Sequence, residues 1–276
     1  MVVGVLGNGV PEEVLVAAGA ETIAIEGSPG GATDLADRYV EPMVGPRARS
    51  QLQRLLDGTY AGLDLIVCSR ETEAPLRLFY SLRELRRLEP DRGVPPVHVV
   101  DLQHLGTDAT RRWNAAQVRS LCAAVGARED RLPDAIAACN ERRRPRRPAP
   151  EGRRRVFVTG SEHADTGLGA ALEAAGASVV DGPPILTGEG GDPVEAIARR
   201  YEHPLLAGAR GSSARKAEAV AEAARAAGAD AALAFYLEGD DGLRWEYPEC
   251  RDALERAGIP VTLREQQPYD LAGLAW

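Results

Sequence analysis

The stretch from residue 63 to residue 73 joins an apolar run to side chains of the kinds that take part in catalysis. Its first six residues, Leu-Asp-Leu-Ile-Val-Cys, have the length and composition of a buried parallel strand. Groups that could bind a substrate or transfer a proton follow directly: Cys68, Ser69, Arg70, Glu71 and Thr72. Ligands of open α/β sheets bind beyond the carboxyl ends of the strands, where the strand order reverses. We therefore expect a site at the end of this strand.

Acid/base candidates also follow other predicted strand ends. Together with Arg70 and Glu71 they would form an acid/base set with an anion clamp in a cleft. These further candidates are His104, His163, Asp240 and Asp241. A single histidine in a loop is more often exposed to solvent than catalytic, so solvent exposure is the alternative for both histidines.

The four cysteines show no spacing typical of a zinc site or a Cys-x-x-Cys motif. Cys122, Cys139 and Cys250 fall on predicted amphipathic helices, where small apolar side chains pack into the core. Cys68 lies near Arg70 and is the one candidate for a reactive thiol. Core packing is nevertheless the favoured interpretation of Cys68.

A glycine motif and the single lysine argue against common nucleotide and Schiff-base chemistries. Gly7-Asn8-Gly9 lies between a predicted strand and a predicted helix, but Glu12 occupies the position of the third glycine of a dinucleotide motif. Glu12 at the helix start would also repel a pyrophosphate. The only lysine, Lys216, lies in a helical run without a phosphate-binding glycine loop.

The overall composition is that of a globular protein. The 276 residues carry a formal net charge of −8, which disfavours binding to nucleic acid, because a phosphate backbone attracts a basic surface. No apolar run approaches the length of a membrane span, and the first residues do not resemble a signal peptide. We expect a cytoplasmic protein with reduced cysteines and no membrane partner.

The hydrophobic pattern predicts strands that alternate with helices at short intervals, which is typical of parallel sheets with right-handed crossovers. A first α/β domain is predicted over residues 1–105, with strand order 2-1-3-4 and a central third strand. A helical segment and an Arg/Pro-rich linker follow over residues 106–152, and a second α/β domain over residues 153–276. Like charges and prolines predict that the run at 142–155 is solvated.

Several segments, taken in order, resemble the 2-hydroxyacyl-CoA dehydratase D-component family, which includes subunits of 2-hydroxyglutaryl-CoA dehydratase and benzoyl-CoA reductase. Residues 10–20, Val-Pro-Glu-Glu-Val-Leu-Val-Ala-Ala-Gly-Ala, are similar to the family's Pro-Glu-Glu-Leu-Ile-x-Ala-Ala-Gly opening. Residues 55–67 match its next helix and strand. Further matches, to its second domain, are residues 156–161, 192–201, 246–248 and 258–260.

The resemblance implies two flavodoxin-like, doubly wound domains joined by a helical segment. It also implies an acyl-CoA and a [4Fe-4S] cluster in the cleft, a homologous partner subunit, and an ATP-dependent activator that delivers one electron. By position, the residues expected to line this cleft, in addition to the acid/base candidates above, are Asn8, Pro11, Glu12, Cys68, Ser69, Thr72, Gln103, Ser161 and Glu238.

This sequence departs from the family at the three cysteines that hold the cluster. Gly45, Thr72 and Asp240 stand at the positions where the resemblance implies cysteine. Iron–sulfur clusters require thiolate ligands, so we expect no metal or cluster on this chain and a [4Fe-4S] cluster only on the partner.

The sequence therefore predicts a cluster-free subunit of a dehydratase-like complex. It would form a heterodimer with a cysteine-bearing homologue and would shape an acyl-CoA cleft. The alternative is a stand-alone, non-redox enzyme that uses the same cleft for acid/base chemistry on an acyl-CoA or another small anionic substrate.

Overall fold

The computed structural model describes residues 1–144 and 152–272, which form two four-stranded sheets whose strands are all parallel. The first sheet has the order β2-β1-β3-β4 and the second the order β6-β5-β7-β8. The strands of the first sheet are β1 (Val2–Leu6), β2 (Glu21–Ala24), β3 (Leu65–Ser69) and β4 (Val97–Val100). Those of the second are β5 (Arg154–Gly160), β6 (Ala177–Val179), β7 (Ala231–Leu237) and β8 (Val261–Gln267).

Helices connect and cover the strands of each sheet. In the first half they are α1 (Glu12–Ala17), α2 (Pro46–Leu56), α3 (Glu73–Leu88), α4 (Asp108–Val125) and α5 (Leu132–Arg143). In the second half they are α6 (Leu168–Ala174), α7 (Pro193–Arg200), α8 (Ser213–Ala226), α9 (Asp241–Arg244) and α10 (Tyr247–Arg256). None of these helices is long and apolar enough to cross a membrane.

This arrangement confirms the predicted fold class of two doubly wound, flavodoxin-like α/β domains. Every residue of β3 and of β7 is buried, as expected for strands covered by helices on both faces. The register pairs β3 with β1 on one side and with β4 on the other, so the predicted central position of this strand is confirmed.

The two halves share part of their hydrophobic core. Val194, Ile197 and Tyr201, in and just after α7, belong to the same buried cluster as Val118 and Leu121 of α4. The hydroxyl of Tyr201 also donates a hydrogen bond to the carbonyl of Val10 (3.1 Å). Both halves bury apolar surface in this cluster, and this burial stabilises their association. The two halves are therefore packed directly against each other.

The Arg/Pro-rich run is structured at both of its ends. Arg143 ends α5 and its side chain is mostly buried against Glu13, while Arg154 opens β5. Arg143 therefore contradicts the prediction of a solvated segment over 142–155, whereas Arg142, Arg144 and residues 152–155 are exposed, as predicted. Its middle, residues 145–151, lies outside the described residues.

Candidate functional site

The carboxyl ends of β1, β3, β5 and β7 open into one cavity of about 340 Å³ between the two sheets. Residues just after β1 and β3 form one wall, and residues just after β5 and β7 form the other. This is the location where open α/β sheets bind ligands, and here two such edges meet. The polar residues that line it are Asn8, Arg47, Gln51, Glu71, Thr72, Thr159, Ser161, Glu162, His163, Lys216, Glu238 and Asp240.

Glu71 is held in place by the loop Gly7-Asn8-Gly9. The backbone N–H of Asn8 donates to Oε1 of Glu71 (2.9 Å), and the Ser69 hydroxyl is hydrogen-bonded to Oε2. The N–H of Gly9 donates to the same hydroxyl of Ser69 (3.1 Å). The two glycines therefore bring backbone amides close to a carboxylate of the chain itself, which is their role here in place of binding a pyrophosphate.

The pKa of Glu71 is raised above its ordinary value. Partial removal of the carboxyl from water raises it, and the hydrogen bonds from Ser69 and the backbone of Asn8 only partly oppose this effect. A carboxyl group whose pKa is shifted upward, toward neutral pH, can donate as well as accept a proton at the edge of a cavity.

The opposite wall presents Ser161 and Asp240. Burial, together with the charge of Asp241, raises the pKa of Asp240, although a hydrogen bond with Ser161 and the charge of Arg47 act against it. The Ser161 hydroxyl also accepts the backbone N–H of Leu237 (2.9 Å), which fixes its position at the end of β7. The cavity thus has one carboxyl with a raised pKa on each wall.

The two cations that line the cavity are already paired. Arg47, in the first turn of α2, contacts Asp165 in the other domain (Nε–Oδ2 3.0 Å), and the hydroxyl of Tyr269 donates to the same oxygen (2.7 Å). The ammonium of Lys216 contacts Glu246 (2.6 Å) and donates to the carbonyl of Gly208 (2.7 Å).

His163 lines the cavity beside Phe235, and its Nδ1 lies 3.1 Å from the carbonyl of Ser161. His104 instead is buried behind Glu71, with Nδ1 2.6 Å from the carbonyl of Tyr201. Burial lowers the pKa of His104.

Arg70 and Gln103 belong to a polar cluster at the ends of β3 and β4. Arg70 is paired with Asp101 (3.1 Å), and Arg210 of the second domain binds Asp101, the Arg70 carbonyl (3.1 Å) and the Gln103 side chain (3.3 Å). These contacts fasten one domain to the other beside the cavity.

Four further residues named from the sequence do not line the cavity. Cys68 is fully buried in the core, and burial raises the pKa of its thiol, which makes it unreactive. Pro11 is buried at the start of α1, and Glu12 is paired with Arg143. Asp241 is exposed and accepts a hydrogen bond from Gln266 (3.2 Å).

Sequence reasoning missed Arg47 and Glu162 among the lining residues. The side-chain amide of Asn8 is hydrogen-bonded to Glu162 across the cavity. The sequence held a clue to each residue: Arg47 lies two positions after Gly45, and Glu162 lies two positions after the end of β5.

Gly45, Thr72 and Asp240 all line this one cavity, although they are far apart in sequence. No cysteine lines it, since all four are buried elsewhere in the described residues. Gly45 has φ 89° and ψ 150°, a backbone conformation that is essentially restricted to glycine. A Cβ on Gly239 would approach the Cα of Gly45 to 2.7 Å, so these two loops of opposite domains are in contact.

Comparison with known proteins identifies the family. No curated protein sequence matches the chain. A family model described as the 2-hydroxyglutaryl-CoA dehydratase D-component matches residues 8–147 and 130–265, two overlapping segments that together span most of the chain. The resemblance inferred from the motifs is thereby confirmed: the chain belongs to the 2-hydroxyglutaryl-CoA dehydratase D-component family.

Proposed function

We propose that this chain is a cluster-free subunit of a 2-hydroxyacyl-CoA dehydratase-like complex. It pairs with a homologous subunit that carries the [4Fe-4S] cluster and contributes a wall of the acyl-CoA cleft. The observation that carries the proposal is that Gly45, Thr72 and Asp240, which stand where the resemblance implies the cluster cysteines, all line one cavity between the two sheets.

These three residues do not fit a four-iron cluster. A [4Fe-4S] cube is held by thiolates, whereas glycine offers no side-chain ligand, and hydroxyl or carboxylate oxygens are hard donors that suit other metals. Within residues 1–144 and 152–272, no three His, Cys, Asp or Glu side chains are arranged as a metal site. No step of the proposed function therefore passes through a cluster on this chain.

The backbone supports the same conclusion. A cysteine at position 45 would have to adopt a conformation that costs a residue with a Cβ on the order of 1–3 kcal/mol. The contact between Gly45 and Gly239 also occupies space between the two loops that would supply ligands. Both the side chains and the loop geometry at these positions thus support a chain without a cluster.

Spectroscopy tests the cluster-free assignment. The chain is purified without oxygen and reconstituted with iron and sulfide, beside the triple variant Gly45→Cys/Thr72→Cys/Asp240→Cys. We expect no cluster absorbance and no stoichiometric iron on the wild-type chain. A broad visible absorbance with about four bound irons on the wild-type chain would refute the proposal.

Affinity purification tests the partner. The tagged chain is isolated from its native source without oxygen, and the bound proteins are identified by mass spectrometry. We expect a homologue that retains the three cysteines, in a ratio close to one to one. Isolation of this chain only as a monomer or as a homo-oligomer would argue against the heterodimer.

A second candidate function rests on the two carboxyl groups with raised pKa. Glu71 and Asp240 lie on opposite walls of one cavity, and such a pair can divide the roles of acid and base in a reaction without redox chemistry. Turnover of an acyl-CoA by the isolated chain in air, abolished by Glu71→Gln and by Asp240→Asn, would favour this candidate. Turnover only in the presence of the cysteine-bearing partner would favour the first.

A further inference from the structure

The charged groups that face the cavity are mostly acidic. They are Glu71, Glu162, Glu238 and Asp240. Both oxygens of Glu71 accept hydrogen bonds within its own domain, and the other three carboxylates reach the cavity from the loops after β5 and β7. Glu71, Glu162 and Asp240 are partly buried and Glu238 is exposed, and a like charge brought next to such a group of carboxylates is disfavoured.

The cations at the cavity cannot balance these carboxylates. Arg47 is engaged by Asp165, whose side chain is only 3% exposed, and Lys216 by Glu246, whose side chain is 9% exposed. Each pair is locally neutral and partly buried. An entering carboxylate would have to compete with a partner that already holds the cation in good geometry.

Helix ends offer further positive potential at the cavity. The amino termini of α2 and α3 reach the cavity through Ala48 and Ala74. Each terminus is equivalent to roughly half a unit charge, and Glu73 in the first turn of α3 offsets one of them. The three carboxylates of the second domain therefore outweigh the helix ends.

Much of the uncharged lining is apolar, although polar side chains such as Gln51, Thr72 and Ser161 also line the cavity. The apolar part includes Val44, Pro75, Phe157, Leu205, Leu237 and Leu243. At about 340 Å³ the cavity is at the small end of ligand pockets, so a whole acyl-CoA does not fit, and only the acyl end and the adjoining thioester would be enclosed.

We propose that this cavity accepts an uncharged acyl group and rejects one that ends in a carboxylate, and that Glu162, Glu238 and Asp240 set this preference. The inference rests on the proposed function, since it specifies which acyl-CoA the cleft takes. It assigns to these three residues the role of specificity determinants and names a substrate class, the CoA thioesters of short neutral acids.

Two thioesters of equal chain length provide the test. Binding of butyryl-CoA and succinyl-CoA to the full chain, together with its partner subunit if the two co-purify, is measured by titration calorimetry. The pH is held at about 8 for both titrations, so that the two thioesters are compared under the same conditions. We expect succinyl-CoA to bind at least about tenfold more weakly, because its terminal carboxylate would face the acidic loops.

A charge-reduced variant tests two of the three named residues. Glu162→Gln/Glu238→Gln should reduce the preference for butyryl-CoA over succinyl-CoA by about tenfold or remove it. Glu141→Gln/Glu255→Gln is the matched control, since it removes the same net charge at exposed positions outside the cavity. An equal change of the preference in both variants would overturn the assignment.

The outcomes separate the inference from the function on which it rests. Equal or tighter binding of succinyl-CoA overturns the inference and leaves the acyl-CoA cleft intact. Absence of binding of both thioesters and of free CoA overturns the acyl-CoA cleft and the inference with it. Tighter binding of butyryl-CoA that is relaxed only by the cavity variant supports both.

Discussion

Two glutamates of the first domain illustrate how neighbouring groups decide the charge of a buried carboxyl. For Glu71, loss of hydration is the largest effect, and its hydrogen bonds do not compensate, so its pKa is raised. For Glu13, loss of hydration acts in the same direction, but the hydrogen bond and the charge of Arg143 outweigh it, so its pKa is lowered. Only Glu71 lines the cavity.

Replacement of Glu71 by glutamine should remove a loss of stability that begins as the pH rises above about 4.5. The folded state binds the proton of Glu71 more tightly than the unfolded state, whose pKa is near 4.5. The stability that this group contributes is complete below that value and is lost as the pH rises through the raised folded pKa. We expect Glu71→Gln to gain stability relative to wild type by up to about 1.4 kcal/mol for each pH unit in this interval.

Urea unfolding at a series of pH values measures this difference, and Glu13→Gln is the matched control. Because the folded pKa of Glu13 is lowered, its contribution is present above about 4.5 and is lost as the pH falls. The cost of Glu13→Gln should therefore shrink on acidification. A stability difference for Glu71→Gln that does not change with pH would show that Glu71 titrates normally.

Substitution of Gly7 tests whether the loop Gly7-Asn8-Gly9 holds Glu71 in place. A Cβ on Gly7 would lie 2.2 Å from Oε1 of Glu71 and 2.4 Å from Oγ of Ser69, and its φ is 84°. Gly58 has a similar φ of 87°, but a Cβ at this position would have no atom within 4 Å. Gly58→Ala should cost about 1 kcal/mol through backbone strain alone, whereas Gly7→Ala should cost about 2 kcal/mol more.

Unfolding free energies in urea measure both glycine variants. In addition, Gly7→Ala should alter the pH dependence that arises from Glu71, because the carboxyl must move to make room for the new methyl group. Equal losses of stability in the two variants would mean that the loop does not hold Glu71 as described.

At the level of elements, the end of α5 is held by buried polar contacts. Asn140 donates to the carbonyl of Thr187 (2.8 Å) and accepts from its N–H (2.9 Å). Arg143 is paired with Glu13, which is completely buried, and also donates to the hydroxyl of Thr187 (3.1 Å). One turn of α5 thus joins α1 of the first domain to a loop of the second.

Arg143→Ala should destabilise the protein by about 3 kcal/mol or more. The substitution leaves the carboxylate of Glu13 buried without its partner, which costs far more than the loss of a surface ion pair. Arg142→Ala is the control one residue away. Its side chain is half exposed and its contact with Glu12 is 3.5 Å, so we expect a change within about 0.5 kcal/mol.

Chemical denaturation measures both arginine variants, and Arg143→Ala/Glu13→Gln completes the test. Neutralising Glu13 should recover part of the loss, because the uncompensated charge is then gone. A double variant no more stable than Arg143→Ala would locate the effect in packing and not in charge.

Most of these elements are predictable from the sequence for clear physical reasons. The apolar run at β3 and the alanine-rich α8 carry strong local patterns, and Asp192 and Ser212 cap their helices as their residue types suggest. The first residues of β5 are not predictable in this way. Arg154 and Arg155 look like part of a charged linker, and only pairing with β6 makes them a strand.

The site is less predictable than the fold because its geometry comes from pairs distant in sequence. Arg47 and Asp165 are more than one hundred positions apart, and neither belongs to a motif. A position in a site at the end of a strand could be inferred for Glu71 and Ser161, since both follow buried strands. That Gly7 and Gly9 bind Glu71 depends on the register of β1 against β3, which local patterns do not specify.

At the scale of the whole molecule, the two domains are joined all around the cavity. Arg210 reaches Asp101 on one side, Arg47 reaches Asp165 on another, and the N–H of Ala209 donates to the carbonyl of Glu71 (3.1 Å). Of these residues, Arg47 and Glu71 also line the cavity, so the contacts between the domains involve part of the cavity wall. Opening of the cleft must therefore break ion pairs that are partly shielded from water.

Arg47→Ala should loosen this closure without unfolding either domain. Asp165, almost completely buried, would lose its cation and retain only the Tyr269 hydroxyl. The loop at 161–166 would then sample open states more often, and its amide hydrogens should exchange about tenfold faster, corresponding to about 1.4 kcal/mol of closure.

Arg49→Ala is the control, because Arg49 lies on the same helix but pairs with Asp37 within its own domain. Hydrogen exchange followed by mass spectrometry measures both; faster exchange of the loop in Arg49→Ala, or none in Arg47→Ala, would mean that the Arg47–Asp165 pair does not hold the domains together.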